Sequence, residues 1–191
     1  MKKIIRSLLL PASVMLASCV GSTQQQEEGF NYIDERFADI QMLRYDVEGC
    51  DALSLQQKTF VYYLQEAALW GRDILFDQNG RYNLEIRRMM EKLYQEYDGD
   101  RECADFKAFE VYLKRLWFSN GIHHHYGSEK FSPEFSREWF VVQTSCSDEI
   151  AEVIFNPDVM PKRVNQAQGE DLVLTSASNY YQGVTQAEAE A

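Results

Sequence analysis

The residue types that carry out acid–base or metal chemistry gather in one stretch of this chain. His123, His124 and His125 are its three histidines, and Glu129 lies four positions beyond the last. Imidazoles and carboxylates hold Zn²⁺ and shuttle protons in hydrolysis. Their spacing fits neither use well. Three consecutive side chains do not face one metal on a regular element: a strand puts His123 and His125 on one face, and a helix needs ligands at i and i+4. A hydrogen-bonded or solvent-facing loop accounts for the triplet better than a metal site. The chain has no H-E-x-x-H, no G-x-S-x-G, no phosphate loop and no dinucleotide fingerprint. Asp77-Gln78-Asn79-Gly80 begins like a calcium loop, but Arg81 follows where further acids belong, so it reads as a turn.

Cysteine chemistry is equally thin. Cys50, Cys103 and Cys146 lie downstream of Cys19 and share no C-x-x-C spacing, which argues against a zinc knuckle or a redox pair. Three thiols cannot all pair within one chain. Buried, unreactive thiols are expected, with one disulfide as the alternative. Nothing marks Cys103 or Cys146 as the nucleophile of a cysteine enzyme.

The histidine loop hangs from a helix. Phe106, Phe109, Leu113, Leu116 and Trp117 fall on one face, with Lys107, Lys114 and Arg115 away from it, and Gly121 is the expected stop. Upstream, Ile86, Met89, Met90, Leu93, Tyr94 and Tyr97 give the clearest helical period in the chain, with Asn83 as its expected cap. Before that, Ser54 and Gln57 form a capping box. The helix it opens is expected to run to about Phe76 and to bury Phe60, Tyr63, Leu64, Ala67, Trp70, Ile74 and Leu75. Partial alternation from Phe37 to Val47 suggests a strand. Ser132-Pro133-Glu134 reads as a helix start ahead of Phe135, Trp139 and Phe140. Ser147-Asp148-Glu149 opens a short helix closed by Asn156-Pro157. Leu172-Val173-Leu174 fits strand or helix equally. Thr185 and Glu188 form a second capping box, which announces a helix, and the chain ends after less than two turns of it. An isolated helix that short is not stable in water, so the expectation is the front of a longer chain. The fold class is mainly α, a helical bundle-like arrangement.

Of 191 residues, 45% are hydrophobic and 13% aromatic, enough for one domain with a real core and too aromatic for a disordered chain. The net charge of −11 and the lack of a basic patch exclude nucleic acid as the expected partner. Residues 1–18 read as a signal peptide: Lys2, Lys3 and Arg6, then an apolar run too short to span a bilayer. Leu16-Ala17-Ser18-Cys19 matches a bacterial lipobox, so Cys19 is the expected lipidation site and anchors the chain to a membrane. Residues 19–29 are a polar tether. The expected location is the bacterial cell envelope, on the periplasmic or the surface side, with residues 30–191 as the folded part.

Three blocks carry a resemblance: YYLQEAALWGRDILFDQNGRYNLEIRRMMEKLY from Tyr62 to Tyr94, DFKAFEVYLKRLWFSNGIHHHYGSEKFSP from Asp105 to Pro133, and NYYQGVTQAEAE from Asn179. Together they resemble the amino-terminal portion of the dipeptidyl peptidase III family. The stretch from Ser119-Asn120-Gly121 through Tyr126-Gly127 to Lys130-Phe131-Ser132-Pro133 is the most specific part. The resemblance implies a two-lobed zinc exopeptidase that removes dipeptides from the amino end of short peptides. The complete first lobe would be α+β, helices with a small barrel. Zinc would be held in the second lobe by an H-E-x-x-G-H helix and a later glutamate, with the motif's glutamate as general base. This sequence holds none of those residues, so no catalytic residue and no zinc ligand is carried over, and the chain alone is expected to be inactive. The resemblance places Tyr126 beside the pocket for the substrate's amino end, with Asn120 as a second contact; the alternative is that Tyr126-Gly127 only shapes a turn. The three histidines and Ser132 depart from much of the family. The competing hypothesis is a non-catalytic, lipid-anchored helical binding or scaffold lipoprotein.

Overall fold

The computed structural model describes residues 30–191. The chain divides into two units, residues 1–31 and 32–191. The expected signal peptide, Cys19 and the tether lie outside the described residues.

The second unit opens with a hairpin, β1 (Ile33–Phe37) and β2 (Ile40–Leu43), paired antiparallel with a bulge between Ile33 and Arg36. The expected single strand from Phe37 to Val47 is instead a turn and a second strand. The chain reverses at Ala38, which adopts a positive φ of 47°. Phe37 and Ile40 flank that turn and are both buried.

Helix α1 (Leu55–Trp70) starts at the expected capping box: Ser54 accepts from the Gln57 amide, and the Gln57 side chain accepts from the Ser54 amide. It stops sooner than its periodicity predicts. Gly71 separates it from α2 (Arg72–Asn79), so Asp77–Asn79 are helical and only Gly80 lies in the turn. The cause sits in the next helix. Arg87 and Arg88 of α3 (Asn83–Glu96) hold Asp73 at 2.7 and 3.0 Å, and Phe76 is buried, so α2 packs on α3. Helix α1 does not follow it inward. None of its residues is buried, and Phe60 and Trp70 are 64% and 85% exposed. The apolar face expected to reach the core is therefore open.

The core lies between α3, α4 (Ala104–Ser119), α5 (Arg137–Thr144) and α6 (Asp148–Phe155). Ile86, Met90, Phe109, Leu113, Leu116 and Phe140 are all fully enclosed. Aromatic rings dominate it: Phe109 meets Phe135 edge-on at 5.8 Å, a geometry rings favour over face-to-face stacking, and Trp139 at a tilt at 5.7 Å. Cys103 caps α4 through its sulfur, and Ser147 caps α6 as expected. Two other starts differ from expectation. Ser132-Pro133-Glu134 is not helical: α5 begins after Ser136, whose backbone amide donates to Asp105 on α4 at 2.7 Å. That cross-helix bond fixes where α5 can begin. Nor does Asn83 cap α3; its side chain is buried elsewhere. Leu172–Thr175 forms one helical turn, α7, capped by Asp171, which also takes the first amide of α8 (Gln186–Glu190). The Thr185–Glu188 capping box is present. Cys50 is exposed and Cys103 and Cys146 are half-buried, all three as free thiols, so the expectation of buried cysteines fails for Cys50. No helix among the described residues is long and apolar enough to cross a membrane.

Candidate functional site

Helix α4 is closed by Asn120, one residue ahead of Gly121, the expected stop. Asn120 takes the left-handed conformation (φ 53°, ψ 44°), which Asn tolerates better than most residues. Its carbonyl accepts from Asn79 Nδ2 at 3.0 Å, so the end of α2 clamps the end of α4. Gly121 follows at φ 151°, and a Cβ there would lie 2.4 Å from Asn83 Nδ2. Glycine is required because the buried Asn83 amide passes that close. Asn83 Oδ1 in turn accepts from the Ile122 amide at 3.3 Å. Two asparagines, read from sequence as turn and cap, thus pin the base of the loop.

From there the chain makes a narrow hairpin. Phe131 N donates to Ile122 O at 2.8 Å, His124 N to Glu129 O at 2.7 Å, and Ser128 N to His124 O at 3.1 Å. A third extended segment joins its outer side: Lys130 N donates to Pro161 O and Arg163 N to Ser128 O. Lys130 is the anchor of this arrangement. Its ammonium donates to the carbonyls of Val153, Asn156 and Val159, satisfying the open end of α6. Burial lowers its pKa, partly offset by Asp158 and Glu152. The sequence named Lys130 only within the resembling stretch and gave it no structural role; no local pattern marks a lysine that caps a helix end 23 to 26 residues away.

Each histidine has a separate task. His123 is 1% exposed and donates from Nε2 to Met160 O at 2.8 Å. Burial pushes its pKa down to about 4, with Lys130 and Arg163 acting in the same direction and the Met160 bond opposing. It is neutral, and its Nδ1 is buried without a hydrogen bond. His124 Nδ1 accepts from the amides of Tyr126 and Gly127, which leaves the proton on Nε2, 3.6 Å from Asp39 of the β1–β2 turn. His125 lies between rings: Phe118 edge-on at 4.9 Å and Tyr126 at 4.5 Å. Burial lowers its pKa, with His124 adding to the effect. Among the described residues no three His, Cys, Asp or Glu side chains converge on a point that would hold a metal. Two of the ring nitrogens, His123 Nε2 and His124 Nδ1, are engaged by backbone.

Tyr126 stands at the tip of this loop, 86% exposed, although its backbone is held by His124. It forms one lip of a groove of about 560 Å³, with Gly127 and Ser128 beside it and Lys162 and residues 164–167 opposite. Lys162 pairs with Glu129 at 2.7 Å, which lowers the Glu129 pKa and leaves the pair formally neutral. Asn120 does not line this groove; it sits at the base of the loop. The arrangement holds no paired nucleophile and base. What it offers is an exposed phenol ring on a tied-down backbone, beside polar backbone and a neutralised ion pair. Such a ring can receive an ammonium on its face. No family model matches the chain, and no curated protein matches it.

Proposed function

We propose that this chain forms part of the first lobe of a lipid-anchored, zinc-dependent dipeptidyl peptidase of the dipeptidyl peptidase III kind, attached through Cys19 in the bacterial cell envelope. Its role is to supply one wall of the peptide-binding cleft. Tyr126 is the contact for the substrate's amino end; Asn120, the expected second contact, lies outside the Tyr126 groove and holds the foot of the same loop instead. The observation that carries this reading is the display of Tyr126: an aromatic ring left almost wholly open on a loop that Asn79, Asn83, His124 and Lys130 hold rigid. A turn built only to reverse the chain has no need of that ring. The α-ammonium of a short peptide over the Tyr126 face is worth about 0.5–1 kcal/mol at an exposed site, a positioning contact rather than a source of affinity. Zinc, in the complete enzyme, would supply the activated water; its ligands are not among the residues of this chain, and the 191-residue chain alone cleaves nothing.

Reading the coding DNA past the Ala191 codon tests this. The expected result is an open frame that reaches a His-Glu-x-x-Gly-His motif. A confirmed stop with no such motif beyond it would sink the peptidase reading. It would leave a non-catalytic lipid-anchored binding protein, the reading that the self-contained aromatic core around Phe109 favours.

A further inference from the structure

A second cavity lies where the hairpin, the start of α2 and the end of α4 meet, with a volume of about 240 Å³. Phe37, Trp117 and Phe118 form apolar walls, and Arg72, Lys114 and Glu35 stand around them. The charges are not equivalent. Lys114 is held by Glu35 at 2.6 Å and Glu110 at 3.1 Å. Arg72 makes no ion pair or side-chain hydrogen bond among the described residues, in a chain where acids outnumber bases. An unpaired guanidinium beside an apolar wall is complementary to one chemistry: a carboxylate with an apolar group attached.

We infer that this cavity binds the carboxyl-terminal residue of a short peptide, with its α-carboxylate on Arg72 and its apolar side chain against Phe37, Trp117 and Phe118. The size agrees: 240 Å³ is below the roughly 300–1,000 Å³ of sites for drug-sized ligands, so the space suits a single residue. A long acyl chain fits poorly, because Glu35 and Lys114 border the apolar floor. The choice of a peptide over a free amino acid rests on the peptidase reading. Phe118 touches His125 at 4.9 Å and His125 touches Tyr126 at 4.5 Å, so an aromatic ridge joins this cavity to the Tyr126 groove. Two ring-to-ring steps of that size match roughly three extended residues. A peptide lying along the ridge would have its amino end at Tyr126 and its carboxyl end at Arg72. The site would then select short peptides by length.

Titration of the full chain with N-acetyl-leucine and with its amide, followed by amide chemical shifts, tests the cavity. The acid should bind saturably and about tenfold more tightly than the amide, the loss expected for one charged hydrogen-bonding partner. Arg72→Gln should reduce the acid to the affinity of the amide, and Arg72→Lys should keep part of the difference. Equal binding of acid and amide, no binding of either, or no effect of Arg72→Gln would overturn the inference. Decanoate bound more tightly than N-acetyl-leucine would overturn the peptide assignment in favour of an acyl chain. Tyr126→Ala separates the two readings. It should weaken Ala-Ala-Leu and leave N-acetyl-leucine unchanged. If Tyr126→Ala changes neither ligand while Arg72→Gln still weakens N-acetyl-leucine, the carboxylate cavity stands and the peptidase reading of Tyr126 falls.

Discussion

Two single residues govern the loop that presents Tyr126. Gly121 combines a φ of 151° with an approach of 2.4 Å between a built Cβ and Asn83 Nδ2. Gly121→Ala should therefore displace Asn83, break its bond to Ile122 N and cost about 2 kcal/mol or more through strain and a lost buried partner. Urea unfolding would measure it; a loss under about 0.5 kcal/mol would show that Asn83 relaxes freely. His123 gives a pH signature. Its folded pKa, about 4, lies below the unfolded value of 6.5, so the unfolded chain binds the extra proton between those limits. Stability from this group is complete above pH 6.5 and is lost as pH falls toward 4, by up to about 3 kcal/mol. His123→Phe should flatten that slope. An unchanged slope would mean that other groups set it.

Among the elements, α1 behaves least as its pattern suggests. Phe60, Val61, Tyr62, Tyr63 and Leu64 are consecutive and all exposed. Five residues at 100° each go once around the helix, so no single contact face exists to be packed. Open apolar surface of that extent promotes self-association. The double change Phe60→Gln with Leu64→Gln should lower binding of a hydrophobic dye and reduce self-association in sedimentation. The melting temperature should move by no more than about 2 °C, because no core contact is removed. A large drop in melting temperature would show that α1 is packed in solution. Helices α4 and α6 behave in the opposite way. The buried face of α4 matches its apolar period, and α6 is capped where its sequence predicts, by Ser147; the cap of α4 on Cys103 carried no such signal.

For the molecule as a whole, stability rests on the aromatic cluster between α3 and α6. Phe109 is fully enclosed and meets Phe106, Phe135, Trp139 and Phe140. Phe109→Ala should cost about 3–5 kcal/mol, from lost transfer energy plus the cavity left behind. Natural domains hold only about 5–15 kcal/mol in total, so the variant should sit near its unfolding threshold at 37 °C. Calorimetry would show this as a lowered and broadened transition; an unaltered transition would place the core elsewhere.

The amino-acid sequence determined the mainly helical class, the apolar faces of α3 and α4, the caps at Ser54, Ser147 and Thr185, and the place of Tyr126 in a histidine-bearing loop. All of these depend on neighbours within a turn or two, where spacing and side-chain type act directly. Tertiary structure alone decided the rest. That α1 stays open while α2 turns inward at Gly71 follows from Asp73 meeting Arg87 and Arg88 of another helix. That Asn83 serves Ile122, that Lys130 closes α6, that Ser136 rather than Ser132 starts α5, and that His123 is buried against Met160 are all pairings across long sequence separations. Local pattern carries no record of such pairings. A buried polar group takes whichever partner the packed chain brings within hydrogen-bonding distance, because leaving it unpaired costs more than any local preference it gives up.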